Sequence, residues 1–566
     1  MRLRRLEIEN FRGVKKLDWR HIAETAALVG PGDSGKSTIL DAIERVLSPK
    51  WNVPFDDTDF WDLNTDATIV IRATITDLAP NLYRESKYGL LLHGFDKKSG
   101  EAVSALGEEG EEHALVVEVR VDESLEPIWS VIGMDEEKHM FMARDREALG
   151  MLRVGSYVDQ HLGWSRGSVL ARLTDTGDAI SAVLAEALRQ TRSGLKTEGL
   201  EKLTAAAKRV EKLGKDLGVA PRNSLVPHLD ASSLSVAAGA LSLHDGKVPT
   251  RRSGLGTRRL LAVAMQREAA AQSGLTIVDE FEHGLEPHRI RRLLRVLRGC
   301  APEDETLARG QLILTTHSPT VLSELEANEV AVTRRAENGT VTVQSLPNAI
   351  DYILKRTPHA LLARKVIVAE GATEVGLCHA LDDAWTNETG GSFGYRGVAV
   401  VDGGGGTQPA EISGHLAKLG YDVALLIDSD AKAKIHKAEG AVILAWPDRT
   451  CTEQRLAADL PEEAIKQMAG KADERGGRGV RDALAAQLRV KPATLSEREP
   501  TSWPEVVGVE NFRKALGNVA KNKNQPWFKS KEQGYFLGSL VAEHWASITN
   551  TPTHEVVEKL KEFAHG

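Results

Sequence analysis

The chain has 566 residues, enough for two or three domains that each bury a core of their own. Hydrophobic residues make up 42% and charged residues 27%, as in soluble globular proteins, and no apolar run is long enough to predict a membrane span. Three cysteines without CxxC spacing argue against a disulfide framework or a zinc site and for a cytoplasmic location, and the net charge of −8 leaves any DNA binding to local basic patches and metal ions.

The first predicted elements form a nucleotide site. Residues 3–14 alternate like a half-buried strand, and residues 26–30 form a second, buried strand. A helical stretch follows GPGDSGKST, and this order of strand, loop and helix favours a phosphate loop over an ordinary glycine-rich turn. Lys36 would reach the β- and γ-phosphates of a nucleotide, and Ser37 would bind Mg²⁺. The loop residues are Gly30, Pro31, Gly32, Asp33, Ser34, Gly35, Lys36, Ser37 and Thr38.

Strands and a helical insertion are predicted between the phosphate loop and residue 250. Residues 67–78 and 114–122 have the pattern of strands, and residues 166–218 have a helical pattern. One stripe of this helical segment contains Leu200, Leu203, Val210, Leu213 and Leu217. Two alternatives remain open, an ordinary amphipathic core helix and an insertion that helps two subunits associate.

Three later segments could complete an ATPase site. Residues 275–287 begin as an apolar strand that ends in Asp279 and Glu280. An aspartate in this position can hold Mg²⁺ through water, and the adjacent glutamate can polarise the attacking water. A predicted helix begins at Ser253, Gly254, Leu255 and Gly256, and a strand over 312–319 reaches His317. Each segment alone could be a structural turn or core strand, but their order favours an ATPase.

In these four segments the chain resembles the ABC-type ATPases, in the branch of recombination and chromosome-maintenance proteins. The resemblance implies that Ser253–Gly256 is a signature loop that contacts ATP on a second subunit, and that His317 is the switch histidine. It also implies that residues 284–287 are the D-loop. A site shared in this way implies a homodimer or a larger assembly. No glutamine lies between Ile39 and Tyr157 for the usual Q-loop. The candidates to replace it are Asp56, Asp57 and Asp59.

The carboxyl-terminal half alternates strands with helices, which predicts a mostly parallel sheet whose functional groups gather at the strand ends. The predicted strands are residues 366–369, 397–402, 423–427 and 441–446. Four acidic residues fall at the ends of these strands, namely Glu370, Asp402, Asp428 and Asp430, and Glu374 lies on the first turn of the helix after Glu370. These carboxylates cannot all stay ionised near neutral pH without cations, and hard oxygen ligands select Mg²⁺, Mn²⁺ or Ca²⁺. The alternative, helix caps and solvated loop residues, is most open for Asp402.

The Glu370-Gly371 turn, with Asp428 and Asp430 on a later strand, resembles the Toprim domain of topoisomerases, primases and certain nucleases. Glu374 matches the nuclease-type variant of this domain, which has an extra acidic ligand. Glu453 is a further candidate ligand for a second metal ion, although glutamates are common on helix surfaces. The resemblance therefore implies a two-metal nuclease site that binds Mg²⁺ or Mn²⁺.

An ABC-type ATPase followed by a Toprim domain resembles the OLD (overcoming lysogenization defect) family, which includes the nuclease subunit of the Gabija antiphage system. The similarity spans essentially the whole chain. The family implies a lysine near the carboxyl terminus that assists phosphate chemistry. Lys529, beside Trp527 and Phe528, is favoured over Lys531 for this role, and solvated helix lysines are the alternative.

The predicted fold class is therefore α/β, with an ABC-type ATPase domain followed by a Toprim domain. The expected boundaries are an amino-terminal ATPase part at 1–165, a helical insertion at 166–230, a carboxyl-terminal ATPase part at 231–350 and a Toprim nuclease domain at 351–566.

The resulting hypothesis is a metal-dependent DNA endonuclease that is coupled to ATP and serves antiphage defence. The expected cofactors are ATP and Mg²⁺ or Mn²⁺, with Ser37 and Asp279 holding Mg²⁺ at the nucleotide. The expected partners are DNA, further copies of the chain in a homodimer or tetramer, and a helicase-like or other defence-system protein. The catalytic residues are expected to be Glu370, Glu374, Asp428, Asp430 and Lys529 for DNA cleavage, and Glu280 for ATP hydrolysis.

Other functions are weighed against this hypothesis. The main alternative is an ATP-switched DNA repair or maintenance clamp with a non-catalytic Toprim domain, which the intact acidic residues disfavour. A topoisomerase would need a tyrosine nucleophile in a large cleavage domain, and a transporter ATPase would leave the second half unexplained. Five arginines form either a DNA-facing patch or a solvated helix face, namely Arg289, Arg291, Arg292, Arg295 and Arg298.

Overall fold

The computed structural model describes the chain apart from twelve stretches, residues 85, 104–111, 155–161, 163–169, 171–185, 187–200, 217–222, 226–241, 270–273, 299–309, 429–435 and 521–527. The described residues fall into two compact units. The first contains Met1–Ala148 and Gln311–Gly566, and the second contains Leu149–Gly310. Among the described helices, none combines the length and the apolar character needed to cross a membrane.

The amino-terminal part of the first unit is built on an eight-stranded antiparallel sheet. The elements of this part are β1 (Arg2–Phe11), β2 (Val14–Trp19), β3 (Thr25–Val29), α1 (Lys36–Leu47), β4 (Ile69–Thr76), β5 (His93–Asp96), β6 (Glu101–Val103), β7 (Glu112–Val121), β8 (Ile128–Ile132), β9 (Lys138–Met140) and α2 (Ala143–Glu147). The strands follow the order β2-β1-β4-β7-β5-β6, with β8 and β9 paired beyond β7. Ile8 pairs with both Leu17 and Ile71, so the alternation predicted for the first strand forms one buried face.

The second unit contains β10 (Leu152–Val154), α3 (Glu201–Asp216), β11 (His244–Asp245), β12 (Val248–Pro249), α4 (Leu255–Ala269), β13 (Leu275–Val278) and α5 (Pro287–Leu297). Strands β10 and β13 are parallel, and β11 and β12 form a short antiparallel pair. The predicted helix is confirmed over 201–216, whereas most of the rest of the predicted insertion, with Leu200 and Leu217, lies outside the described residues. Val210 of the predicted stripe is 59% exposed.

The chain returns to the first unit with β14 (Gln311–Thr315), α6 (Pro319–Ser323), β15 (Val330–Arg335), β16 (Val341–Ser345) and α7 (Asp351–Arg356). Strand β3 lies between β14 and β15 and is parallel to both, and β16 runs antiparallel to β15. All five residues of β3 are buried, and the four that follow Thr25 are the apolar run expected of a central parallel strand. The loop after β3 therefore lies at the same edge of the sheet as the carboxyl ends of β14 and β15.

A separate, four-stranded sheet follows in the first unit. Its elements are β17 (Lys365–Ala369), α8 (Ala372–Thr389), β18 (Val398–Asp402), α9 (Gln408–Lys418), β19 (Asp422–Ile427) and β20 (Val442–Ala445). The order is β18-β17-β19-β20, and every neighbouring pair is parallel. The predicted parallel sheet is thus confirmed, together with all four of its predicted strands.

The remaining residues form a helical layer on this sheet. Its helices are α10 (Thr452–Asp459), α11 (Glu462–Leu488), α12 (Ala493–Ser496), α13 (Trp503–Val507), α14 (Val509–Ala520), α15 (Lys531–Glu543) and α16 (Pro552–His565). They share one hydrophobic core with the sheet, in which Trp446 and Trp503 are fully buried. Helix α15 packs on α8 with almost no space between the backbones, because a Cβ at Gly376 would lie 2.0 Å from the Lys531 carbonyl oxygen.

Arg334, near the end of β15, connects the sheet that contains β3 with the four-stranded sheet that contains β19. Its guanidinium lies 4.0 Å from the ring centroid of Tyr421, the residue before β19. Burial lowers the pKa of this arginine. On the other side of the same strand segment, the Thr333 carbonyl oxygen would lie 2.3 Å from a Cβ at Gly30. One strand therefore contacts both the glycine-rich loop after β3 and the start of β19.

Candidate functional site

The ends of three adjacent parallel strands bring acidic side chains to one edge of the four-stranded sheet. Glu370 follows β17, Asp402 ends β18 and Asp428 follows β19. The Glu370 N–H donates to the Leu426 carbonyl at 2.9 Å, and the Asp428 N–H donates to the Glu370 carboxylate at 2.7 Å. These three acidic residues line one cavity of about 520 Å³, the place where functional groups of parallel sheets collect.

Glu374 lies on the first turn of α8 and is held there by two hydrogen bonds. Its Oε2 accepts from the Gly371 N–H at 3.0 Å, and its Oε1 accepts from the Thr452 hydroxyl at 2.6 Å. Thr452 also donates its backbone N–H to Asp428 Oδ1 at 3.0 Å, and its own hydroxyl accepts from the buried Trp446 indole at 2.7 Å. One threonine therefore orients two of the acidic side chains.

Glu453, on the first turn of α10, is completely buried. Its Oε1 lies 2.7 Å from Lys529 Nζ and 3.4 Å from the Thr373 hydroxyl. Its Oε2 has no hydrogen-bond partner among the described groups, and a buried carboxylate oxygen in that state is costly unless a cation binds it. Lys529 lines the cavity, whereas Lys531 begins α15 and does not.

Burial and mutual repulsion oppose ionisation of these acids. Burial raises the pKa of Glu374, and the neighbouring Glu453 raises it further. Burial also raises the pKa of Asp428, followed in size by the effects of Glu374 and Glu370. Burial lowers the pKa of Lys529, but Glu453 and its neighbours raise it by more, so this pKa lies above the usual lysine range. The carboxylates thus exceed what Lys529 can neutralise.

Without divalent metal, the protein is expected to lose stability as the pH rises. Unfolded Glu374 and Asp428 would release their protons near pH 4, whereas their raised pKa values keep protons bound in the folded state at higher pH. The folded state then holds more protons than the unfolded state, so the free energy of unfolding falls as the pH rises through the folded pKa values. Thermal unfolding in EDTA from about pH 5 to about pH 8 should show this fall.

Asp428→Asn should reduce this pH dependence, because it removes one of the two responsible carboxyl groups. Asp422→Asn is the matched control, since Asp422 is exposed at the opposite end of the same strand. Added Mg²⁺ or Mn²⁺ should restore stability most strongly at the higher pH. Identical pH profiles for the parent and Asp428→Asn would contradict the assignment of the repulsion to this site.

The donor set fits a hard divalent cation, because it consists of carboxylate oxygens and includes the unpartnered oxygen of Glu453. The residues that could hold the ion are Glu370, Glu374, Asp428 and Glu453. Among the described residues, no three acidic, histidine or cysteine side chains already form a coordination cluster. Their oxygens instead accept hydrogen bonds from Thr452, from backbone N–H groups and from Lys529.

Two further predicted metal ligands, Asp430 and Asp402, are not part of this donor set. Asp430 lies outside the described residues, so its role stays a prediction. Asp402 lines the cavity, but its Oδ1 accepts a hydrogen bond from the Gly404 N–H at 3.0 Å, which is the local loop contact that the alternative interpretation expects. Its role as a ligand also stays a prediction.

The predicted phosphate loop connects β3 to α1 in the first unit. Lys36 begins α1, and its Nζ donates to the carbonyl oxygens of Gly30 at 3.0 Å and Pro31 at 2.8 Å. Gly30 has a φ of 152° and faces the Thr333 carbonyl so closely that only glycine fits. The Lys36 side chain thus lies across the loop and its ammonium group contacts carbonyl oxygens. The same ammonium group could donate hydrogen bonds to a phosphate bound in the loop instead.

His317 lies at the same sheet end as this loop. It follows β14, which pairs in parallel with β3, and the Thr316 N–H lies 3.4 Å from the Leu28 carbonyl oxygen. Two of the predicted Q-loop substitutes are engaged in local contacts, since Asp56 accepts from the Thr58 N–H at 2.8 Å and Asp59 accepts from Arg12 Nε at 2.6 Å. Their proposed substitution for a glutamine stays a prediction.

The second unit holds the other predicted ATPase segments. Asp279 and Glu280 follow β13, and Glu280 has a φ of 45°, which is uncommon for a residue with a side chain. Ser253 and Gly254 precede α4, whose Arg259 donates to the Asp279 carbonyl at 2.5 Å. A Cβ at Gly256 would lie 2.3 Å from the Gly284 carbonyl oxygen. The predicted signature and D-loop segments therefore pack together within this unit.

The predicted arginine patch lies on α5, whose buried residues are all apolar. Arg291, Arg292 and Arg295 are exposed, and Arg289 Nε lies 3.1 Å from the carboxylate of Glu286. An exposed set of arginines suits both a DNA-facing patch and a solvated helix face, so the two alternatives stay open.

Several residues at the cavity were missed by the sequence reasoning. Thr452 orients two acids, Thr373 donates its hydroxyl to the Phe528 carbonyl at 2.7 Å, and Tyr352 and Arg356 line the cavity. A weak signal existed for Thr452, because a hydroxyl residue directly before a candidate ligand at a predicted helix start is typical of a capping position. The other three had no local signal.

Comparisons with known proteins agree with this organisation. A family model described as overcoming lysogenization defect protein-like, TOPRIM domain, matches residues 361–430. A model for the AAA ATPase domain matches residues 1–112, and an AAA domain model whose description also mentions the AbiEii toxin and the Type IV TA system matches residues 156–323. An OLD nuclease from Thermus scotoductus is 25% identical, over 65% of this chain and 71% of that protein.

Two solved structures are also similar in part. The SMC head domain from Thermotoga maritima is 16% identical with a TM-score of 0.30, covering 61% of this chain and 100% of that one. The SmcHead bound to the C-winged helix domain of ScpA is 15% identical with a TM-score of 0.32, covering 61% and 98%. Likenesses at such TM-scores carry no inference about function. The family matches, the four-stranded parallel sheet and the parallel strands around β3 together give an α/β chain in which an ATPase fold precedes a Toprim domain.

Proposed function

We propose that this chain, which carries the ATPase and Toprim domains of the OLD (overcoming lysogenization defect) family, is a divalent-metal-dependent DNA endonuclease that ATP drives or regulates. The observation that carries the proposal is the cluster of buried Glu374, buried Glu453 and half-buried Asp428 beside Lys529. A structural cluster would be expected to pair its buried oxygens, whereas Glu453 Oε2 has no partner among the described groups. Nuclease chemistry uses such carboxylates to bind metal and such a lysine to bind phosphate.

Each residue of the Toprim site would have a distinct role in DNA cleavage. Mg²⁺ or Mn²⁺ bound here would supply an activated water and stabilise the leaving 3′ oxygen of a phosphodiester. Glu370, Glu374 and Asp428 would hold the ions, with Glu453 and Asp430 as further ligands. Thr452 keeps two of these carboxylates in fixed positions through its hydroxyl and its N–H. Lys529, protonated beside Glu453, would neutralise negative charge on the reacting phosphate.

The ATPase residues would bind and hydrolyse ATP. The phosphate loop with Lys36 and Ser37 would bind the phosphates and Mg²⁺. Asp279 would hold the Mg²⁺ through water, and Glu280 would polarise the attacking water. A signature loop at Ser253–Gly256 is useful only when it reaches the nucleotide of another subunit, which supports a homodimer or tetramer. The family resemblance supports a role in antiphage defence with a helicase-like or other defence-system partner.

Supercoiled plasmid incubated with the purified full chain and Mg²⁺ or Mn²⁺ should be converted to nicked or linear DNA. EDTA should stop the conversion, because without a bound cation nothing offsets the negative charge on the reacting phosphate and on the leaving 3′ oxygen. Gel electrophoresis with and without ATP would show the products and whether nucleotide speeds or restrains cleavage. The phosphate-loop variant Lys36→Ala, measured in parallel, would separate an effect of bound ATP from an effect of ATP as a chelator of metal.

The main alternative, an ATP-switched clamp with a non-catalytic Toprim domain, gives a different result in the same assay. Such a protein would bind DNA in an ATP-dependent way without cutting it at any concentration of Mg²⁺ or Mn²⁺. Binding measured by fluorescence anisotropy together with intact plasmid in every lane would therefore refute the nuclease proposal and favour the clamp.

A further inference from the structure

The carboxylate cavity has a second wall that its acidic residues do not explain. Tyr352 and Arg356 of α7 line the same 520 Å³ cavity as Glu370, Glu374 and Asp428. The Arg356 guanidinium lies 4.9 Å from the centroid of the Tyr352 ring, and its NH1 donates to the Tyr352 hydroxyl at 3.1 Å. The arginine is therefore held at the cavity by an aromatic neighbour.

Arg356 differs from the other cation of this cavity in its pairing. Lys529 is an ion-pair partner of Glu453, with 2.7 Å between the atoms. Arg356 forms no ion pair with any carboxylate in the part of the chain that the structure describes, although the cavity contains several. An exposed guanidinium in this state can accept an anion without breaking an existing ion pair.

The loop between Asp402 and α9 lies close to the Tyr352 hydroxyl. A Cβ at Gly404 would lie 3.3 Å from the Tyr352 hydroxyl and 2.6 Å from the Gln408 side-chain oxygen, so the tyrosine rests where a side chain would otherwise stand. A Cβ at Gly405 would meet nothing within 4 Å, which leaves this side of the cavity open. The loop thus supports the tyrosine and keeps space for a ligand beside Arg356.

Electrostatics indicate which ligand belongs there. The cavity carries more carboxylates than Lys529 can neutralise, and a nucleic-acid strand brings further negative charge at every phosphate. Metal ions can compensate the phosphate that is cut, but a phosphate beside it needs its own cation. The planar guanidinium of arginine binds two phosphate oxygens at once and suits this task.

We infer that Arg356 binds a backbone phosphate of the DNA strand next to the one that is cleaved, and that Tyr352 positions its guanidinium. This inference rests on the proposed nuclease function and adds the residue that sets the strand in the cavity. A purely structural alternative exists, because Arg356 is also the last residue of α7, where a cation interacts favourably with the helix dipole. The two roles predict different results for DNA binding: only a phosphate contact of Arg356 makes the DNA affinity more dependent on salt concentration.

The test uses the full chain with a fluorescein-labelled DNA strand, both single and as a duplex. Arg356→Ala should raise the KM for cleavage about tenfold with little change in kcat, because it removes binding to a part of the strand that does not react. The logarithm of DNA affinity falls as the logarithm of salt concentration rises. In EDTA, this fall should be less steep for Arg356→Ala than for the parent, by about 0.7 for the single strand and about 0.9 for the duplex, which is the contribution of one phosphate. Arg356→Lys should keep the slope but lose part of the affinity.

Two further variants separate binding from fold. Tyr352→Phe keeps the ring and removes the hydroxyl, so it should raise KM less than Arg356→Ala and leave the salt slope unchanged. Lys355→Ala removes the same charge one residue earlier, where the side chain donates to the Leu325 carbonyl at 2.5 Å and does not line the cavity. It should change neither KM nor the slope, and melting temperatures would verify that all variants are folded.

Three outcomes overturn the inference, and they are distinguishable. If the parent cuts DNA and Arg356→Ala has the parent KM and the parent salt slope, Arg356 binds no phosphate although the nuclease proposal stands. If the parent neither binds nor cuts DNA, the nuclease proposal fails and the inference falls with it. A reduced slope shared by Lys355→Ala would also overturn it, because the effect would then be one of overall charge.

Discussion

Asp428→Asn is expected to reduce DNA cleavage by about a thousandfold, because a lost metal contact of about 4 kcal/mol in the transition state has that effect on the rate. The asparagine keeps an oxygen for the hydrogen bond from the Thr452 N–H and removes the charge that a metal ion needs. ATP turnover should persist, since the nucleotide would bind at Lys36 in a different domain. Initial rates of plasmid nicking, measured over a range of Mg²⁺ and Mn²⁺, provide the comparison.

Asp422→Asn gives the matched control for this experiment. Asp422 opens the strand that Asp428 follows, is exposed, and does not line the cavity. The same chemical change at this position should leave cleavage within about twofold of the parent rate, as for a surface substitution away from the site. Cleavage by Asp428→Asn at the parent rate would remove this residue from the metal site.

Lys36→Ala is expected to weaken ATP binding by about a hundredfold, because it removes a cation that makes charge-assisted hydrogen bonds to phosphate. The fold should survive the change, since the lost contacts are to the Gly30 and Pro31 carbonyl oxygens at the edge of the loop. Equilibrium binding of a fluorescent ATP analogue, with release of inorganic phosphate as a second readout, would measure the effect.

Glu280→Gln supplies the contrasting variant for the nucleotide site. It should bind ATP with the parent affinity but hydrolyse it more slowly, because glutamine cannot polarise the attacking water in the way that a carboxylate does. Parent-like hydrolysis by this variant would show that another residue has that task. Parent-like binding by Lys36→Ala would refute the phosphate loop itself.

The strands that position both sites could be predicted from local sequence. Val423–Ile427 is a continuous apolar run, and the strand observed there has five consecutive buried residues after an exposed start. Likewise, β3 is apolar after its first residue, Thr25, and the glycine-rich loop begins where the strand ends. Runs of this kind are reliable because a strand covered on both faces tolerates few polar residues.

The arrangement of side chains within the cavity depends on contacts that are distant in sequence. The hydrogen bond between Thr452 and Glu374 joins residues 78 positions apart, and the one between Thr373 and Phe528 spans 155. Glu453 could be named as a candidate but not recognised as buried, because its burial depends on how helices α10 and α15 pack on the sheet. Local patterns do not encode such packing.

The cavity wall formed by α7 illustrates the same limit. Arg356 and Tyr352 follow no motif, and a single basic residue near the end of a short helix usually has no more than a stabilising role. They share a cavity with the carboxylates through tertiary packing, in which Gly404 of the loop after β18 lies close to the tyrosine hydroxyl. The predicted insertion at 166–230 is a different case, since most of it lies outside the described residues.

The contact of Arg334 with Tyr421 has a consequence for building chimeras of this protein with its relatives. Arg334 belongs to the strand beside the phosphate loop, whereas Tyr421 immediately precedes a strand of the sheet that carries the acidic residues. A crossover placed in the connecting segment near residue 351 would separate the two partners and bury an arginine against a foreign side chain. Hybrids that exchange both positions together should therefore express as folded protein more often than hybrids that exchange one.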